Sequence, residues 1–464
     1  MMTTDPDAAQ DLGTLDRDVA EAVDAWSRWR RDLFADPESR AGEDPLGGAL
    51  RHVASKGTYD ALVRRASDPA SADAPWTYSL SRFVAHLLQA RVTREVDVAL
   101  ARAMGSPDAV LTLPDARKVS FRDAIRQLVA NVPRGEAVAW LDAAAARGPD
   151  VARIARERAE RRAEVVHRLG RDPSEGELRS SRSVARELLD RTDDLFSSVL
   201  KEWRKGEDLS LVAPSPVDAI RCSMARDAPD GWPAHLSARW VSELFAERAG
   251  DLRKLPIELP PMPRALGGAS FAGVLEAFGS AVRTARLKSS MPFALRNDPL
   301  FVDAHRVGAV FGALVTSRTF FRCSLGTSAR VAASQSRTLT RTALFTARLR
   351  AARVLLGGEM GPVAIERVEE LSERVFGAAL PRALSGAFPL ARDDEPARFL
   401  GMVTALPLTR ALVDRFDEDW FRKPRAFDAF RSRAAYSAHE PPSDADALAV
   451  VAGDLARAFE EALG

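Results

Sequence analysis

Two cysteines, Cys222 and Cys323, in 464 residues exclude a disulfide framework and any cysteine-based zinc cluster. Both read as buried thiols. Charge of one sign is missing too: 66 Lys plus Arg against 65 Asp plus Glu leave a net +1, so the chain is no globally cationic nucleic-acid coat. The longest apolar run, Val307 to Val315, is glycine-broken and far short of the ~20 residues a membrane span needs. The start, Met1-Met2-Thr3-Thr4-Asp5-Pro6-Asp7, lacks the basic and apolar regions of a signal peptide, so a cytoplasmic location is expected. No His-Glu-x-x-His, Gly-rich phosphate loop or Gly-x-Ser-x-Gly elbow occurs, and His439-Glu440 runs into Pro441-Pro442. Neither metal nor cofactor is expected.

What is present is helical periodicity. Leu15, Val19, Val23, Trp26, Trp29 and Leu33 make one apolar stripe, with Thr14 read as its N-cap. Similar patterns predict helices over about 48–67, 77–104, 119–131, 134–147, 149–169, 178–204, 216–226 and 233–249. Others fall over about 270–287, 300–317, 328–356, 361–377, 395–416, 424–437 and 443–463. Ser120-x-x-Asp123 reads as a capping box opening the 119–131 helix. Only Ala109–Leu113 suggests a short strand, and no repeat of fixed period appears. The fold class is all-α, a large multi-helix protein. Leu255 to Pro263 carries four prolines and cannot be helical. That connector divides the chain into a disordered 1–14, a helical region 15–254 and a second helical region 255–464.

Charge is unevenly spread. Ala304 to Gly358 contains no acidic residue and nine arginines. With 59 Arg against 7 Lys, arginine abundance as such reflects a GC-rich type of composition, so placement carries the weight. At 100° per residue Arg330, Arg337, Arg341 and Arg348 fall on one line, about 27 Å long, with Ser334 beside it. Like charges in line repel. Either Glu366, Glu369, Glu370 and Glu373 on the next helix offset them, or an anionic ligand does, since arginine forks take carboxylate and phosphate bidentately. A peptide or protein partner and a small anion both fit; nucleic acid fits least, for want of a long-range field. Asp193-Asp194 reads as a solvated pair, and Asp393-Asp394-Glu395 as a dipole-suited helix start. His305 is the one weak candidate for a catalytic base.

Further along, Leu266-Gly267-Gly268-Ala269-Ser270-Phe271, Phe278-Gly279, Pro292-Phe293, Asp298-Pro299 and the run Arg415-Phe416-Asp417-Glu418-Asp419-Trp420-Phe421-Arg422-Lys423-Pro424 occur in a familiar order. This is similar to the C-terminal half of the oligopeptidase F and thimet oligopeptidase-like zinc metallopeptidases. The resemblance, over about 250–464, implies a helical architecture enclosing a deep peptide cleft. Where that family carries His-Glu-x-x-His, this chain has Ala309-Val310-Phe311-Gly312-Ala313, and no downstream glutamate lies on the 328–356 helix. Zinc hydrolysis needs three protein ligands, so the resemblance implies a metal-free, non-catalytic relative with an arginine-lined cleft. The alternatives are an interaction scaffold without an internal site, and an enzyme acting on a small anionic substrate with His305 as base.

Overall fold

The structure, a computed structural model, describes residues 11–67, 72–105, 110–112, 116–128, 133–170, 175–223, 232–233, 236–249, 266–285, 290–357, 365–384, 394–430 and 445–464. The chain is all-α. Its first part holds α1 (Leu12–Ala35), α2 (Pro37–Arg40), a 3-10 segment Gly48–Ala54, α3 (Lys56–Ala66) and α4 (Ala74–Gly105). A two-stranded ribbon, β1 (Val110–Thr112) and β2 (Lys118–Ser120), leads to α5 (Phe121–Leu128), α6 (Arg134–Leu169), α7 (Glu175–Gly206), α8 (Pro216–Ser223) and α9 (Ala238–Ala249). Then come α10 (Gly268–Ala285), α11 (Phe293–Arg296), α12 (Val302–Gly312), the 3-10 turn Ala313–Thr316, α13 (Arg318–Cys323) and α14 (Ala329–Gly357). The last elements are α15 (Ile365–Phe376), α16 (Glu395–Phe416), α17 (Pro424–Ala429) and α18 (Ala445–Leu463).

Local chemistry explains where the expected boundaries moved. α1 is capped by Asp11, whose carboxylate accepts from the N–H groups of Gly13 and Thr14 at 3.2 Å, so Leu12 to Thr14 are helical rather than disordered and Thr14 is not the cap. The Ser120–Asp123 box forms as read: the Asp123 N–H donates to Ser120 Oγ at 3.1 Å. β1 lies within 109–113 and pairs antiparallel with β2, Val110 opposite Ser120; three residues of β2 were too few to show alternation. The connector Leu255–Pro263 lies outside the described residues.

The two helices expected on either side of Gly148-Pro149 are one, α6. Proline forfeits a single helical hydrogen bond there, and Gly148 lies hard against the 3-10 turn Arg382–Leu384. A Cβ on Gly148 would sit 2.0 Å from the Ala383 carbonyl oxygen. Glycine to alanine inside a helix ordinarily stabilises by about 1 kcal/mol. At Gly148 the sign should reverse: Gly148→Ala is expected to destabilise by about 1–3 kcal/mol through overpacking, read as a lower urea midpoint. An unchanged or higher midpoint would show that the contact yields.

The largest core draws Val96, Leu141, Val184 and Leu188 from before the connector, and Phe345, Leu355, Leu371 and Phe399 from after it. A second, aromatic core gathers Phe245, Phe271, Phe278, Phe311, Phe320, Phe421 and Phe427. A third joins α1, α3 and the first half of α4. α14 belongs to the first two, giving Ala332 and Leu339 to the aromatic core and Leu344 to Leu356 to the largest. Glycines let α10, α12 and α16 approach backbone to backbone. A Cβ on Gly279 would lie 2.7 Å from the Val307 carbonyl, and one on Gly401 would lie 2.8 Å from the Arg306 nitrogen.

Buried acids tie the helices together. Asp97 on α4 holds Arg158 on α6 at 2.6 Å. Asp218 takes both Arg134 and Arg204. Asp16 on α1 accepts from Trp76 Nε1 and from the Ala294 N–H that opens α11. Cys222 is buried as expected, which pushes its thiol up to about 11. Cys323, contrary to expectation, is exposed at the end of α13.

Candidate functional site

The arginine line on α14 exists as a line and divides in its surroundings. Arg330, Ser334 and Arg337 are exposed, Arg341 is half-buried, and Arg348 is 1% exposed. The cause is what covers each half. The face opposite the arginines, Ala332, Gln335, Ser336 and Leu339, is buried at the N-terminal end, which turns the arginines to solvent. Nearer the C-terminal end α7 and α15 close over the same line. The expected arginine-lined cleft is therefore replaced by an outward face and one sealed arginine. A depression of about 520 Å³ lies elsewhere, lined by Tyr59, Asp60, Val63, Arg64, Leu169 and Gly170.

Arg348 does not pair with the α15 glutamates. Its guanidinium donates to Asp193 Oδ1 at 2.6 Å, Thr192 Oγ1 at 2.6 Å and the Arg374 carbonyl at 2.7 Å, and lies 4.9 Å from the Phe196 ring centre. Burial lowers its proton affinity and the Asp193 hydrogen bond opposes that. Asp193, read from the sequence as solvated, also takes Arg374 at 2.6 Å. Glu369 pairs with Arg382 and Glu370 with Arg367, so the arginine line does not receive them.

The exposed end is different. Arg337 donates to the Leu463 carbonyl at the end of α18, at 3.0 Å. Arg318 and Arg322 on α13, and Arg330, are exposed, and among the described residues none of the three has an ion pair or hydrogen-bond partner. Ala333, Ser334 and Thr338 leave the ground between Arg330 and Arg337 low. The line from Arg330 to Arg341 is about 16 Å long at 1.5 Å per residue.

His305 stands apart from that line. It belongs to a half-buried group of charges where α10, α12, α14 and α16 converge. Glu276 takes Arg350 and Arg398, each at 3.3 Å, and Arg350 lies 3.8 Å from Glu395. Burial would raise Glu276, but Arg350 and Arg398 outweigh it and hold the carboxyl below its usual range. His305 Nε2 is 3.7 Å from Asp394. Burial drives the imidazole down to about 4 despite that carboxylate, so His305 is neutral at pH 7. A base serves best with a pKa near the working pH, and this one lies well below it. Asp394 is the N-cap residue of α16 and Glu395 lies in its first turn, where acids suit the helix dipole as expected. Asp394 makes no side-chain capping bond and faces His305, Glu395 faces Arg350, and Asp393 lies outside the described residues. The Arg353 Nε is shut from solvent without an acceptor.

Arg350, Arg353, Glu276 and Arg398 are not among the site residues expected from the sequence. The signal was available: Arg350 and Arg353 are one helical turn apart in an acid-free stretch, and Glu276 is a lone charge between Leu275 and Phe278. Three guanidinium groups face three carboxylates, which suits a network clamping four helices. Residues 309–313, where the peptidase motif would fall, are mostly packed inside the aromatic core, Val310 at 1% and Phe311 at 0% exposure.

Among the described residues no three His, Cys, Asp or Glu gather closely enough to hold a metal ion. No described helix is long and apolar enough to cross a membrane. Fold and site together define an all-α protein in which, among the described residues, buried ion pairs link the helices and an arginine face on α13 and α14 is exposed. No protein-family description, curated protein or solved structure matches the chain.

Proposed function

We propose that this is a non-catalytic helical protein that binds an acidic polypeptide segment along the exposed face of α14 and α13. The observation that carries the reading is the set Arg318, Arg322 and Arg330, exposed in a segment acid-free in sequence and without an ion pair among the described residues, with Glu418 reaching α13 only through the Thr319 hydroxyl. Some exposed arginines elsewhere are matched, as Arg102 is by Glu38 and Arg65 by Asp73, and others such as Arg51, Arg153 and Arg156 are not; what sets this set apart is an acid-free stretch of sequence that brings three of them together. Arginines spread over about 16 Å suit an extended row of carboxylates better than one small anion. A net charge of +1 argues against a nucleic-acid backbone. The peptidase resemblance contributes a peptide as ligand and the loss of hydrolysis. The enzyme alternative loses support because His305 lies in another cluster.

The test is fluorescence anisotropy with a labelled oligo-glutamate peptide at about 50 mM salt, where surface charges are weakly screened. Arg330→Glu combined with Arg337→Glu is expected to weaken binding at least about tenfold. Arg153→Glu with Arg156→Glu, exposed on α6, should leave it unchanged. Equal loss in both pairs, or none in the first, refutes the reading.

A further inference from the structure

We infer that the acidic segment is α15 of a second copy of this chain, a deepening that rests on the function just proposed. α15 repeats the plan of α14 with the opposite sign. Glu366, Glu370 and Glu373 are exposed, follow a spacing of four and three, and so share one helical line opposite the buried Val368, Leu371, Ser372 and Val375. Arg330, Ser334, Arg337 and Arg341 likewise lie opposite a buried face. Among the described residues Glu366 and Glu373 have no ion pair, and Glu370 has only its own neighbour Arg367.

Within one chain the two lines do not meet. α15 is fastened beside the far half of α14, where the Phe376 and Phe345 ring centres are 5.7 Å apart and Arg374 binds Asp193. Arg330 is fifteen positions before Phe345, about 22 Å along the helix. A second copy can bring its α15 to the free end of α14. If the pair is two-fold, each chain gives one line and receives the other, so the contact forms twice. Neither line carries a large exposed apolar side chain, since those exposed among the described residues are Tyr78, Ile125, Leu211, Val212 and Val450. The association is thus electrostatic, transient and sensitive to salt.

Sedimentation equilibrium of the full chain tests it. The wild type should self-associate at about 50 mM salt, with the dissociation constant rising at least about tenfold by about 500 mM. Arg330→Glu with Arg337→Glu, and separately Glu366→Arg with Glu373→Arg, should each be monomeric, because each then opposes like charges. Mixed in equal amounts the two variants should associate again, since every contact regains opposite signs. Circular dichroism checks that each variant stays helical. A wild type that is monomeric at low salt, or a mixture that fails to associate, overturns this inference. If the oligo-glutamate peptide still binds the α14 face in that case, the proposed function stands while the second copy falls. If the peptide does not bind either, both fall.

Discussion

Asp97→Ala should lower the unfolding free energy by about 3–5 kcal/mol, the range for stripping the acid from a buried ion pair. Asp97 is wholly buried and holds Arg158 at 2.6 Å, with Thr93 donating to its other oxygen at 3.3 Å. The truncation keeps the guanidinium of Arg158 inside while removing the Asp97 carboxylate at 2.6 Å, so the desolvation of the cation loses that compensation. Urea denaturation followed by circular dichroism reads the loss. The double change Asp97→Ala, Arg158→Met should recover much of it, because an apolar pair of similar volume can replace a buried ion pair at little cost. A loss in the single variant below about 1 kcal/mol, the range of exposed pairs, would mean that water reaches the site.

The second large effect is one of pH. His305 is neutral in the folded protein down to about 4, whereas in the unfolded chain it ionises near 6.5. Between these values the unfolded state binds the extra proton. Stability from this residue is therefore complete above 6.5, falls as pH drops, and is lost by about 4. With the imidazole side chain 24% exposed, a shift of this size corresponds to something on the order of 3 kcal/mol. Unfolding free energies of wild type and His305→Gln, measured from pH 7.5 to 4, should diverge in slope, the variant being flatter. Parallel profiles would place the imidazole in contact with solvent.

Helix identity was readable from apolar spacing and the lack of strand-like alternation, most plainly in α1 with its one buried face, although α4 and α16 bury residues on more than one side. α1, α4, α14 and α16 lie close to where their apolar spacing puts them. Ends were less readable. Asp11 outcompetes Thr14 as a cap because its two oxygens serve two N–H groups, and α6 crosses Pro149 because packing at Gly148 outweighs one missing bond. The charged line on α14 was legible as geometry, but which half faces water depends on α7 and α15, distant in sequence. Asp193 shows the same limit: nothing local marks it as the partner of a residue 155 positions away. Glu276 on α10 and Arg398 on α16 come together where Gly279, Gly308 and Gly401 let α10, α12 and α16 touch, a closeness no local pattern announces.

α14 behaves as a beam spanning two piers. Its 29 residues carry load in the aromatic core at one end and in the largest core at the other. The two cores therefore share one helix, and the end that carries Arg330 is continuous with the end where Arg348 is bolted to Asp193 of α7. Whatever grips the outer end would thus rest on the one rod that both piers carry.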